Sequence, residues 1–300
     1  MSIVTSKGIA NMAASYNSDR NNISNTNNQI IFNKVMSNQA TSPSFDYLLN
    51  YQTIRLNDVK SILEYNLGNL SLVISENLKL EEISDERTIE LPSAKIGFLG
   101  KADLLHALKK RRSIRHYAKK GTTLKELAYF LKYSVGVKEQ TENMNGYEIP
   151  LRYYGSGGGL YPIRTYIMIE NIKNVKKGIY QYQPFSHSIR KIEHEDIQLE
   201  DVFTSQQSLD LKNAAFAIFF VYEVNKNYVK YGEAALAYAF IEVGLMSQNM
   251  HLLAQSMDLG TCDIGGFNKV KLEKTMKLCG VNRHILYSIL AGKVDYHVEI

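Results

Sequence analysis

Gly155-Ser156-Gly157-Gly158-Gly159-Leu160-Tyr161-Pro162 is the stretch that most restricts what this chain can fold into. Four glycines in five positions bring a backbone close to a flat or anionic ligand. Glycine has no Cβ, adopts positive φ and leaves its N–H groups accessible. The stretch is not a P-loop, because no Gly-Lys-Ser/Thr follows. It is not the dinucleotide fingerprint either, because the Gly-x-Gly-x-x-Gly spacing fails at Leu160. A fold other than those two must use it, and a plain flexible turn is the simpler reading.

The 300 residues suffice for one large domain or two smaller ones, and 45% hydrophobic with 22% charged residues suits a substantial core. The net charge of +5 is spread along the chain rather than gathered into the basic stripe of a nucleic-acid binder. An anionic cofactor or an acidic peptide fits that balance better. The two cysteines, Cys262 and Cys279, form no Cys-x-x-Cys pair, and the histidines are scattered, so neither a metal site nor a disulfide framework is expected. This usage suits a reducing cytosol, and a cytoplasmic protein is expected. Residues 1–7 lack the apolar core of a signal peptide. The densest apolar run, residues 214–222, is far shorter than the ~20 residues of a membrane helix. It reads as a buried strand, and no membrane contact is expected.

Residues 1–45 are rich in Asn and Ser and hold too little apolar surface to offset the entropy of ordering. They read as a polar arm, mobile or ordered by a partner. Residues 46–91 turn amphipathic, with Leu48, Ile54, Val59, Ile62 and Leu67 partly at helical spacing, and read as a helical lead-in. Pro92 marks the break into an α+β unit over 92–300. Helices are expected over 102–112, 123–134 and 232–257, and strands over 164–170, 178–183, 188–192, 215–224 and 285–290. In the last helix Ala235, Ala239, Val243, Met246 and Met250 form a stripe with small neighbours. It suits close packing on another helix, including one across a subunit interface.

Three further segments bear on chemistry. Lys109-Lys110-Arg111-Arg112-Ser113-Ile114-Arg115-His116-Tyr117 reads as a solvated basic face at a helix C-terminus, or as a phosphate grip. In the second case Arg112 and Arg115 supply forked donors, with the Ser113 hydroxyl between them. Leu259 to Phe267 follows the long helix; Gly260 would be its left-handed cap, while Gly265 and Gly266 exceed that need and suit a backbone laid against a flat ring. Lys230-Tyr231-Gly232-Glu233 stands at the mouth of that helix and reads as exposed polar residues or as an acid–base pair. The positive end of the helix dipole and partial burial would both lower the lysine pKa from ~10.4 toward that of a general base. His251, within the helix, reads as a packed or exposed side chain rather than a ligand.

Arg111 to Tyr117, the glycine run, Gly260 to Phe267 and Ala291-Gly292-Lys293, in that order, resemble the nitroreductase superfamily of flavoproteins. Ser156 to Pro162, Gly178 to Tyr182, Lys230 to Glu233 and Glu242 to Asn249 are similar to the SagB/ThcOx-type peptide dehydrogenases. These azoline oxidases help make thiazole- and oxazole-modified peptides such as streptolysin S and microcins. The resemblance implies a central, mostly antiparallel sheet flanked by helices, and a two-fold homodimer with FMN at the interface. It puts Arg111, Arg112, Ser113 and Arg115 on the FMN phosphate and ribityl chain, with Lys293 near the phosphate. Ser156, Gly157 and Gly158 would face the flavin from the partner subunit, and Ile264, Gly265 and Gly266 would line the isoalloxazine. Lys230 and Tyr231 match the catalytic Lys-Tyr pair. Arg164 and Thr165 depart from the family's acidic or apolar pair, which bears on substrate contacts. The implied activity is oxidation of azoline rings in a ribosomally made precursor peptide, beside a cyclodehydratase complex, in bacteriocin- or streptolysin-like toxin maturation. Lys230 takes the ring proton next to the carbonyl carbon, a hydride goes to flavin, and reduced flavin returns its electrons to oxygen. An NAD(P)H-dependent nitro or quinone reductase, and a scaffold subunit of a cyclodehydratase complex, are the alternatives.

Overall fold

The computed structural model describes residues 47, 82–94, 103–144, 147–192, 197–203, 209–278 and 280–295. The polar arm, most of the lead-in, Cys279, His194 and His297 lie outside the described residues. The chain divides into two compact units, Met1–Tyr65 and Asn66–Ile300. In the first, Tyr47 is helical and partly buried.

The second unit contains strands β1 (Thr88–Glu90), β2 (Thr122–Thr123), β3 (Val137–Met144), β4 (Tyr147–Arg152), β5 (Ile163–Ile169) and β6 (Ile172–Lys173). They are followed by β7 (Gly178–Gln183), β8 (Ser188–Lys191), β9 (Phe216–Glu223), β10 (Leu259–Ile264) and β11 (Arg283–Lys293). The helices among its described residues are α1 (Leu104–Lys110), α2 (Leu124–Val135), α3 (Leu199–Val202), α4 (Val224–Tyr231), α5 (Ala234–Gln255) and α6 (Lys269–Thr275). Among the described residues the main sheet runs β1-β8-β7-β5-β9-β11-β10, with every neighbouring pair antiparallel. Helices lie on it, so the architecture is the expected α+β one.

Strand β9 lies inside that sheet, between β5 and β11, and every one of its residues is buried. Its side chains alternate between two cores, as the strand period of two requires. Phe216, Ile218, Phe220 and Tyr222 join the core that holds α2 and α5. Ala217, Phe219 and Val221 join the opposite core with α3 and α6. Helix α2 starts cleanly, because Thr123 and Glu126 form a reciprocal capping box.

Several expectations need correction. Residues 88–90, read as part of the helical lead-in, form β1 and pair with β8. The long helix begins at Ala234, because Gly232 at φ 52° breaks it from a separate helix, α4. Residues 259–264 are a strand rather than a helix stop, and the final strand runs on to Lys293. The small-residue stripe of α5 packs inward, in the core it shares with α2 as its pattern suited, and not across a subunit interface: Ala235, Ala239, Val243, Met246 and Met250 are all buried within this chain. The exposed apolar face of α5 is instead Phe240, Ile241 and Leu245.

Candidate active site

Gly260 and Gly292 are direct partners across β10 and β11. A Cβ on Gly260 would stand 2.6 Å from Ile114, and one on Gly292 would stand 2.7 Å from Tyr117. The bare backbone therefore lets residues 113–118 lie across the two strands. The Ile114 N–H donates to Thr261 O at 3.0 Å and the Ala118 N–H to Lys293 O at 2.9 Å. Gly260 is thus a packing glycine within a strand and not the helix cap; the left-handed residue after α5 is Asp258 at φ 51°.

Burial of Ile114 and Tyr117 turns the polar residues of this segment outward. Arg112, Ser113 and Arg115 are exposed and Arg111 is partly so. Arg112 lines a cavity of about 540 Å³ with His106, Lys109, Lys110 and Asp258. Arg115 Nη1 donates to Ser113 O at 3.4 Å. Burial raises the Asp263 carboxyl, but hydrogen bonds from His251 and Ser247 and the nearby Arg111 outweigh it and hold the group below its usual range. His251 is buried, with Nδ1 2.6 Å from Thr261 Oγ1 and Nε2 2.8 Å from Asp263 Oδ2, while Ser247 donates to Asp263 Oδ1 at 2.7 Å. Asp263 leads into buried Ile264 and exposed Gly265 and Gly266. Lys293 donates to Glu126 Oε1 at 2.6 Å and to Met257 O at 3.1 Å, which ties it to the cap of α2.

The glycine run folds into a tight turn with Gly158, Gly159 and Tyr161 at φ 63°, 69° and 47°. Ser156 Oγ accepts the Tyr161 N–H at 2.9 Å and donates to the Glu242 carboxyl of α5. A Cβ on Gly158 would collide with the Tyr231 hydroxyl and stand 2.7 Å from Lys230 Nζ. The fold therefore brings the glycine run and the Lys-Tyr pair into contact. Gly157 lies against Tyr238, whose ring meets Tyr231 edge-on at 4.8 Å between centroids. Lys230 Nζ is 5.4 Å from the Tyr231 ring centroid.

Of the two expected causes of the lysine shift, burial holds and the helix dipole does not. Lys230 occupies the last turn of α4, where the helix dipole is negative and favours a charged amine. Its pKa is nonetheless lowered, because burial disfavours the ammonium. Burial, and then Tyr238, push the Tyr231 hydroxyl up.

Glu242, Tyr238, Asp263 and His251 were not picked out for a role from sequence. Glu242 had a legible signal: it falls on the buried stripe of α5, an acid among apolar neighbours. Burial raises its carboxyl to about 7, against opposing effects of Ser156 and Arg152. Arg164 is accounted for by an ion pair with buried Glu223 at 2.8 Å. Glu242 and His251 stand nine positions apart on α5, about 14 Å along the axis. The glycine turn and the Arg111–Asp263 group thus address different stretches of one helix.

Residues 108–293 match the model of the Nitroreductase family. The protein MJ1384 of Methanocaldococcus jannaschii, assigned to the nitroreductases, is 28% identical over 197 residues, 65% of this chain and 92% of that protein. The microcin B17-processing protein McbC of Escherichia coli is 30% identical over 132 residues, 42% of this chain and 48% of McbC, so the match spans about half of McbC. A chain of the E. coli microcin synthetase McbBCD complex, solved with truncated pro-MccB17 bound, shares the fold at a TM-score of 0.52 and 19% identity, over 81% of this chain and 98% of that one. Since the matched span holds the arginine segment, the glycine turn, the Lys-Tyr pair and both packing glycines, the chain belongs to the nitroreductase family of oxidoreductases.

Proposed function

We propose that this chain is an FMN-dependent dehydrogenase that oxidises thiazoline or oxazoline rings to thiazoles or oxazoles in a ribosomally made peptide. The observation that carries this reading is the contact of Lys230 and Tyr231 with Gly158: an amine with a lowered pKa stands on a turn of open backbone. A neutral Lys230 takes the proton from the ring carbon next to the carbonyl, as a positioned general base. Tyr231, kept protonated by burial, orients the ring or passes that proton on. The similarity to a microcin B17-processing protein supports a peptide substrate. Azoline rings arise by cyclodehydration, so a cyclodehydratase complex is the partner that supplies them.

The remaining surface suits FMN. Exposed Gly265 and Gly266, beside Ile264, fit a flat ring. Arg111, Arg112, Arg115 and Ser113 offer forked and hydroxyl donors for a phosphate and a ribityl chain, and Lys293 would join them only by leaving its ion pair with Glu126. Ser156, Gly157 and Gly158 would approach from the partner subunit of a homodimer. When bound, FMN supplies the two-electron acceptor for a hydride. The catalytic unit is residues 92–300, with the 1–45 arm and the 46–91 lead-in outside it, in a cytoplasmic enzyme.

Mass spectrometry of a cyclodehydratase-treated peptide tests the reading. The parent protein should remove two hydrogens per ring. The Lys230→Ala variant should keep its FMN and remove none. Azole formation at the parent rate by that variant would overturn the assignment. Match over most of MJ1384 favours a nitro or quinone reductase as the second reading, and rapid flavin bleaching by NADPH without azole formation would establish it.

A further inference from the structure

Glu242 is 2% exposed and lies on the buried stripe of α5 beside Ala239, Val243 and Met246. A buried carboxyl is costly unless its oxygens are used. One oxygen accepts the Ser156 hydroxyl; the other, Oε1, has no hydrogen-bond partner. The groups that face it from other elements are Arg152 at the end of β4, Tyr154, and the backbone of Ile163 at the start of β5. Arg152 also stacks on the Tyr161 ring at 4.8 Å, and its N–H reaches the Tyr161 hydroxyl at 3.3 Å.

A serine hydroxyl has one proton and rotates to suit its neighbours. With Glu242 taking that proton, the oxygen of Ser156 is left to accept the Tyr161 N–H. Without Glu242 the proton is free to swing toward that N–H and oppose it. Tyr161 needs the restraint, because a bulky residue at φ 47° is held there only by its surroundings. The turn so held carries Gly158, which meets Lys230 and Tyr231.

We propose that Glu242 is a positioning residue: it orients Ser156, closes the glycine turn, and through Gly158 keeps Lys230 out of water. The catalytic consequence rests on the dehydrogenase reading; the structural one does not. Amide hydrogen exchange of the full-length protein reads the turn without substrate. In Ser156→Ala and in Glu242→Leu, exchange at Tyr161 and Gly159 should rise about tenfold or more, as for loss of a hydrogen bond to a charged group. Met246 and Met250 should be unaffected. Glu242→Gln still offers an acceptor oxygen and should keep the slow exchange. Slow exchange in Ser156→Ala overturns the inference, and that variant decides alone where Glu242→Leu does not fold.

The pH profile of azole formation gives the second reading. A rehydrated Lys230 regains a higher pKa, so in Glu242→Leu the ascending limb should move to higher pH. The peptide KM should hold, and Glu242→Gln should restore the limb. An unmoved limb beside fast exchange also overturns the inference. A parent protein that forms no azole sinks the dehydrogenase reading, while the exchange result still decides for or against the latch.

Discussion

Lys230 is lowered in pKa by lack of water, against the pull of its own helix end. The neutral fraction of Lys230 therefore grows at lower pH than for a free lysine, and with Lys230 as the proposed base the rate should climb with pH through a limb below the ordinary 10.5. Lys230→Arg should abolish that limb, because a guanidinium does not lose its proton. Its rate should fall by about 10²–10⁴-fold with flavin content unchanged, measured by mass spectrometry and by the visible spectrum. Glu242 makes a prediction of opposite sign. Its carboxyl is raised from 4.5 to about 7, so the folded state holds the proton more tightly than the unfolded one. That stability is full below pH 4.5 and is lost as pH rises through about 7. The loss is on the order of 3 kcal/mol. Thermal melts at pH 5 and pH 8 should differ less for Glu242→Gln than for the parent; an identical difference would show that the carboxyl titrates normally.

Elements carry the next prediction. The Gly260–Gly292 pair lets the arginine segment cross β10 and β11, so a methyl at either position must displace Ile114 or Tyr117. Gly292→Ala should cost about 1–3 kcal/mol, the range for overpacking, and lower the melting temperature. On the proposed reading, in which Arg111, Arg112 and Arg115 hold FMN, it should also weaken FMN binding, because they ride on the displaced segment. An unchanged melt would mean that the segment shifts freely. Strand β9 was legible because an unbroken apolar run allows few other fates, and α2 because Thr123 and Glu126 sit at capping distance. Strand β10 was not, because two of its features, Gly260 and its place after a helix, also describe a helix stop. The break between α4 and α5 was hidden for a related reason: Gly232 is tolerated in a helix, and only its φ of 52° shows that the chain turns there. The dipole argument for Lys230 failed on that one residue, and the contact of the lysine with the glycine turn, made across 72 residues of sequence, had no local signal.

At the scale of the whole molecule, Phe240, Ile241 and Leu245 on α5 and Leu104, Leu105 and Leu108 on α1 are exposed apolar side chains. A two-fold dimer that shares its flavins would cover such surface. Light scattering should give twice the chain mass for the parent, and Ile241→Glu with Leu245→Glu should give a monomer that has lost its flavin. A monomeric parent that holds flavin tightly would contradict the shared site. Which stripe of α5 faces inward was not readable from its period alone, since both faces are apolar. Strand β11 lies between β9 and β10, yet it is the last of the described strands in the chain. During synthesis, β9 therefore leaves the ribosome with a neighbour on one edge only, and its other edge stays open until residue 293 has emerged. An apolar edge left open for that interval is a template for wrong pairing. A nascent chain of this protein needs shelter late in translation, and messages cut short before residue 283 should yield aggregates rather than weakened enzyme.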